Sequence, residues 1–411
     1  MPKAAPLDSV LKRLASNSKS KEPVWKGLAI DGITYSLLSR FIQCRERFRI
    51  LVIEGLKTAD NFNHRIEYGN LWHTCEEALA GRTKESGQGV AGRSCWDLPL
   101  ASYSQSLLQK YPMQREQISH WYEVCQTQFP IYVDYWSKHR DVVERNPLFQ
   151  EQVFDVPYKV PSGRVVRLRG KFDSVDLIGN GSSAALYVQE NKTKGDIDER
   201  AIKAQMQMDL QTQMYLVALG WVNEHDGEGK GLPKGEYRFG APIGGVRYNV
   251  VRRPLSGGKG TITRWKGKPA KKLKSGKMSV AVPEETKEHY YDRLRGIIDG
   301  SAEDSPGPEY FFMRWKAEVS QQDTDRFRRE CLDPILEQLC DWWEWMKSYK
   351  KQYDSPFSPD VANGCSYHWR HPFGVRNILD EGGSSDLDGY LETGSTLGLK
   401  RVDTLFPELV T

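Results

Sequence analysis

The spacing of apolar and polar positions divides the chain into a helical first part and a mixed second part. After Asp31-Gly-Ile, Thr34 stands where a helix N-cap is expected, and Leu37, Leu38, Phe41 and Ile42 form an apolar stripe, so a helix is predicted over 35–49. A second helix is predicted over 68–80, and a polar, glycine-rich loop over 81–93. Aromatic and aliphatic side chains recur at three-to-four spacing over 104–143, the pattern of one or two long helices ahead of a sheet. The period changes at Gln150. Residues 151–160 and 164–178 read as strands around a turn at Pro161-Ser-Gly163, and 184–191 reads as the next strand after the turn at 178–183. A helix over 200–219, a strand over 244–251 and helices over 284–298 and 324–350 follow. This order predicts an α/β fold: a mixed central β-sheet flanked by helices, with a helical insertion, about 81–149, before the strands. Residues 1–30 are expected to be a flexible N-terminal segment, 31–375 one domain, and 376–411 a loosely held tail.

Composition narrows the class only a little. With 39% hydrophobic and 27% charged residues the chain is ordinary for a globular protein, which excludes collagen-like and wholly disordered readings. No run approaches 18 apolar residues, so no membrane span is expected, and the first 22 residues lack the apolar core of a secretory signal. The cysteines at 44, 75, 95, 125, 331, 340 and 365 are odd in number, scattered and without a C-x-x-C pair, which fits reduced thiols in a cytoplasm.

A net charge of +4 names no partner, but its distribution is uneven. Eleven Lys and Arg and no Asp or Glu occur from Arg247 to Lys277. A basic loop, about 252–280, is expected there, with Arg252, Arg253, Lys271, Lys272 and Lys274 as contacts to nucleic-acid phosphates. The alternative is a solvated charged loop.

The candidate chemistry lies in two strands. Alternation along Leu168-Arg-Gly-Lys-Phe-Asp173 puts Arg167, Arg169, Lys171 and Asp173 on one face and Val166, Leu168, Gly170 and Phe172 on the other. Seventeen residues later, Glu190 and Lys192 share a face of the next strand and Asn191 turns away. Two carboxylates on neighbouring strands suit Mg²⁺, which takes hard oxygen ligands and few protein carboxylates. A lysine beside them can position water or stabilise charge on a phosphate. Asp176 competes, but its parity sends it to the face opposite Asp173. His73, in Gly69-Asn-Leu-Trp-His-Thr-Cys-Glu-Glu77, is a possible further ligand or a structural histidine, and Glu77 lies one turn on. Gln211 and Tyr215, at i and i+4, can point together towards a sheet edge.

The succession His73, Gly170-x-x-Asp173, Glu190-x-Lys192, Gln211-x-x-x-Tyr215 resembles the RecB-type branch of the PD-(D/E)XK nuclease superfamily, which includes RecB and AddB nuclease domains, CRISPR adaptation exonucleases and phage exonucleases. Ser36, Phe41 and Cys44, and the strand 245–253, resemble further parts of that pattern, and the likeness runs from residue 33 to residue 373. It implies a restriction-endonuclease-like core. It implies His73, Asp173 and Glu190 as ligands of Mg²⁺ or Mn²⁺, with the Asn191 carbonyl as a possible further one, Lys192 as the catalytic lysine, and Gln211 and Tyr215 holding DNA or the active-site geometry. The implied activity is metal-dependent DNA hydrolysis, exonucleolytic, in recombination, repair or phage DNA metabolism, in the cytoplasm of a bacterial or phage-infected cell. An endonuclease on the same core and a DNA-binding subunit with a vestigial site are the alternatives. No Gly-rich nucleotide loop ending in Gly-Lys-Ser/Thr occurs, so unwinding would need a helicase or recombinase partner. Many relatives hold a 4Fe–4S cluster through one early and three late cysteines. Only Cys44 and Cys365 fall at such places here, and no iron–sulfur cluster is expected.

Overall fold

The computed structural model describes residues 23–53, 55–58, 62–84, 94–137, 145–207, 209–225, 241–254, 269–279, 281, 284–348, 399–402, 404–406 and 409. They fall into two compact units, one from parts of 1–61, 154–170 and 326–411, the other from parts of 62–153 and 171–325.

In the first unit the Thr34 hydroxyl accepts the Leu37 N–H at 3.3 Å, and helix α1 (Tyr35–Gln43) buries Leu37, Leu38 and Phe41. The expected helix is interrupted at Cys44, whose backbone is extended, and resumes as α2 (Arg45–Phe48) and a π-turn (Arg49–Ile53). Strand β1 (Leu56–Thr58) pairs antiparallel with Leu399–Arg401. Trp25, Phe41, Phe48, Trp342 and Trp343 pack edge to face here, the last two from a helix at Asp333–Ser348.

The second unit carries the long helices. Helix α3 (His64–Lys84) extends the predicted 68–80 at both ends. The predicted 104–143 region forms α4 (Asp97–Lys110) and α5 (Arg115–Ser137). With α8 (Lys287–Asp299), capped by the Thr286 hydroxyl at His289 N–H, they enclose a core of Tyr68, Trp72, Trp96, Phe129, Tyr132 and Leu294. Burying each such side chain is worth roughly 2–3 kcal/mol. Most tryptophans are therefore core, although Trp345 remains exposed.

A mixed five-stranded sheet runs in the order β2 (Arg145–Lys159), β3 (Val165–Ile178), β4 (Ala185–Lys194), β5 (Ile243–Arg252), β6 (Phe312–Glu318). Strands β3 and β4 are antiparallel, β4 and β5 parallel, β5 and β6 antiparallel. A parallel neighbour needs a crossover, supplied by α6 (Glu199–Gln207) and α7 (Leu210–Glu224). The single helix predicted over 200–219 is two because Asp209 is extended and starts α7 afresh. Strand β6 escaped prediction: Arg, Lys and Glu interrupt its apolar residues, as suits an edge strand. Gly245, the third residue of β5, sits at φ +135°, where a Cβ would lie 2.1 Å from the Ala317 carbonyl oxygen, so only glycine lets β6 approach.

Candidate active site

All the residues that converge here belong to the second unit. The β3–β4 ladder runs from Ile178↔Ala185 to Ser174↔Gln189. One step beyond, the Asp173 carboxylate reaches across and accepts the Asn191 backbone N–H at 3.0 Å. The two acid-bearing strand ends are thereby tied together. Parity holds as predicted. Glu190 and Lys192 share a face and form an ion pair, whereas Asp176 is fully buried against Arg247 at 3.2 Å with Gln189.

Helix α3 brings in His73, whose Nδ1 lies 3.7 Å from Asp173 Oδ2 and 3.9 Å from Glu151 Oε1. His73, Glu151 and Asp173 each offer a ligand atom within 4.8 Å of the others. Helix α7 adds the remaining pair: Lys192 Nζ donates to Gln211 Oε1 at 3.0 Å, and Gln211 Nε2 donates to the Tyr215 hydroxyl at 3.2 Å. Spacing of i and i+4 puts both on the turn facing β4.

Glu151 was invisible in the sequence as a site residue. It lies in β2 at φ +49°, a left-handed conformation that costs a non-glycine residue about 1–3 kcal/mol and gathers at functional sites. Its second oxygen pairs with Lys171, the residue that shares Asp173's face. Nothing but an acid at the start of a predicted strand marked it, because strand periodicity carries no sign of a reversed φ.

The electrostatics suit a cation. Burial and the neighbouring Asp173 charge push the Glu190 carboxyl up to about 7, with Lys192 offsetting only part. Burial likewise raises Asp173. Burial opposes the charge on His73, but Asp173, Glu151 and Glu190 outweigh it and raise its pKa to about 9. Burial also raises Glu151, yet His73 and Lys171 prevail and hold it below the usual value. Glu190 Oε2 is buried with no hydrogen-bond partner among the described residues. Such an orphan costs about 1–3 kcal/mol. Three carboxylates, one of them with an unsatisfied buried oxygen, and one imidazole form a donor set that a divalent metal fits.

The expected phosphate contacts fare unequally. Arg252 is buried and spent on Asp196, the Ile197 carbonyl and the Tyr310 carbonyl. Arg253 is buried as well, its N–H donating to the Lys194 carbonyl. The bond of Arg253 is made by its backbone alone, whereas the Arg252 guanidinium is held by an acid and carbonyls distant in sequence. Lys271, Lys272 and Lys274 are exposed beside the Lys272↔Met278 bridge, as a phosphate contact requires. Residues 255–268, and Cys365 with the aromatics after it, lie outside the described residues; Cys44 is buried. The Asn191 side chain points away from the acids, accepting from Gln189 and Asn249 at 3.1 and 2.9 Å.

A family model described as the PD-(D/E)XK nuclease superfamily matches residues 33–345, about three quarters of the chain, and that span holds every residue of this site. Comparison with curated proteins found no match.

Proposed function

This chain belongs to the PD-(D/E)XK nuclease superfamily, and on that premise we propose that it is a Mg²⁺- or Mn²⁺-dependent exonuclease of the RecB-type branch that degrades linear DNA. The observation that carries the reading is the meeting of His73, Glu151 and Asp173 beside the Glu190–Lys192 pair, with a carboxylate oxygen left buried and unsatisfied. The arrival of Gln211 and Tyr215 at Lys192 supports the branch.

His73, Glu151, Asp173 and Glu190 are the residues that would hold the cation. When bound, it supplies Lewis acidity to the scissile phosphodiester and acidifies water. Lys192, held by Glu190 and Gln211, presents its ammonium where negative charge develops on the phosphate. Tyr215 steadies Gln211 and so fixes the lysine in one place. Recombination, repair or phage DNA metabolism is the setting this activity fits, with unwinding supplied by a separate helicase. No helix among the described residues is long and apolar enough to cross a membrane.

End-labelled linear duplex and covalently closed circular DNA, each incubated with Mg²⁺ or Mn²⁺, test the reading. Loss of the linear substrate with the circle intact is expected. Nicking of the circle would replace exonuclease by endonuclease, and no cation-dependent cleavage of either would remove the proposal. For the basic segment, replacing Lys271, Lys272 and Lys274 together by alanine is expected to weaken binding to all sequences alike. It should flatten the slope of log K against log salt by about 2–3, since each phosphate contact contributes about 0.9. An unchanged slope would assign those lysines to solvent.

A further inference from the structure

Behind the site, on the face of the sheet turned away from Glu190 and Lys192, lies a buried polar layer whose members are sequence neighbours of the site residues. Gln150, next to Glu151, donates to the Ser174 hydroxyl at 2.6 Å, and Ser174 is next to Asp173. Ser174 donates to Asp176, Asp176 pairs with Arg247, and Arg247 donates to Gln189, next to Glu190. Gln189 and Asn249 both donate to the side chain of Asn191, which stands between Glu190 and Lys192. The Asn249 amide nitrogen also lies 3.0 Å from Glu76 Oε1 and 2.8 Å from the Tyr132 hydroxyl, so three acceptors share its two hydrogens. Glu76 is three residues from His73 on α3, so it moves with it.

Asn249, Arg247, Ser174 and Gln189 are each no more than 1% exposed. A fold does not need such a layer: apolar residues of similar volume often serve stability as well or better. What polar groups add is a preferred geometry, because few arrangements pair the donors with acceptors. The register sets Asn249 opposite Asn191 on β5, outside hydrogen-bond reach of any phosphate bound at the Glu190 face.

We propose that Asn249 is a positioning residue, which ties the helix carrying His73 to the strand carrying Glu190 and Lys192 and so sets the spacing of the metal ligands from behind. Its amide holds Glu76 on α3 and Asn191 on β4 at once. Asn191 in turn holds Asp173 through its backbone N–H. Loss of one amide therefore loosens His73 and Asp173 together, although neither touches it. Partners that orient metal ligands through a second bond are worth about 10–100-fold in metal affinity.

This inference rests on the metal-dependent reading above, and its test is built to fail separately. Mn²⁺ binding to the DNA-free, full-length protein is measured by calorimetry, alongside thermal melting and cleavage kinetics, for the parent, Asn249→Ala and Asn249→Ser. Asn249→Ala is expected to weaken Mn²⁺ binding at least tenfold and to lower kcat similarly, with KM for DNA unchanged. A merely structural amide would shift the melting temperature and leave the affinity of the folded protein alone. Parental Mn²⁺ affinity in folded Asn249→Ala overturns the proposal. Should that variant not fold, Asn249→Ser, which keeps one donor, is read by the same criterion. A parent that binds no Mn²⁺ overturns the metal reading instead.

Discussion

Asp173→Ala is expected to lower the rate of DNA hydrolysis by at least about a thousandfold, and Lys192→Ala by about 10²–10³-fold, the loss found when a single charge-stabilising donor is removed from a transition state. The two should fail in different ways. Asp173 offers an oxygen to the cation and accepts the Asn191 N–H, so its loss removes a ligand and slackens the strand that carries Glu190. Mn²⁺ affinity should fall with the rate. Lys192 carries a half-buried positive charge beside the acids. Its removal should leave cation binding intact, or tighten it, while kcat drops and KM stays. Calorimetry with Mn²⁺ and single-turnover cleavage of end-labelled DNA separate the cases, with near-ultraviolet circular dichroism reporting that each variant is folded. Cleavage surviving in both variants would refute the site.

Much of this site could be read from the chain because strand geometry is simple. A period of two fixes which of Asp173, Asp176, Glu190, Asn191 and Lys192 share a face, whatever the rest of the fold does. Helical spacing does the same for Gln211 and Tyr215. What could not be read depends on contacts between distant segments or on single backbone angles. Glu151 joins the site through a left-handed residue inside a strand, and side-chain type encodes no such angle there. Arg252 looked like part of a basic run, and only the position of Asp196 shows where its guanidinium is held. Asn249 gains its meaning from the β4–β5 register, which is set by the crossover through α6 and α7. The break at Asp209 was nearer to legible, since Asp is a capping residue, but it sits within a continuous helical pattern.

Mn²⁺ binding to the DNA-free protein is expected to tighten by on the order of a thousandfold from pH 6 to pH 9. A ligand imidazole must be neutral, and without metal the acids around His73 hold its proton up to about pH 9. Each pH unit below that value adds about a tenfold competition from the proton. Glu190, raised to about 7, adds a further limb below neutrality. His73→Ala should bind Mn²⁺ more weakly but with an affinity nearly flat above pH 7. The same shifts govern stability without metal, and both act in one direction. His73 has a folded pKa above its ordinary 6.5, so its contribution is fully present below 6.5 and is lost as pH rises through about 9. Glu190 is raised above 4.5, so its contribution is present below 4.5 and is lost as pH rises through about 7. The melting temperature of the metal-free protein should therefore decline from pH 5 to pH 9, while the rise caused by saturating Mn²⁺ grows over the same range. An affinity that does not change between pH 6 and pH 9, or the same slope in His73→Ala, would show that His73 releases no proton when the cation binds, and would remove it from the ligand set.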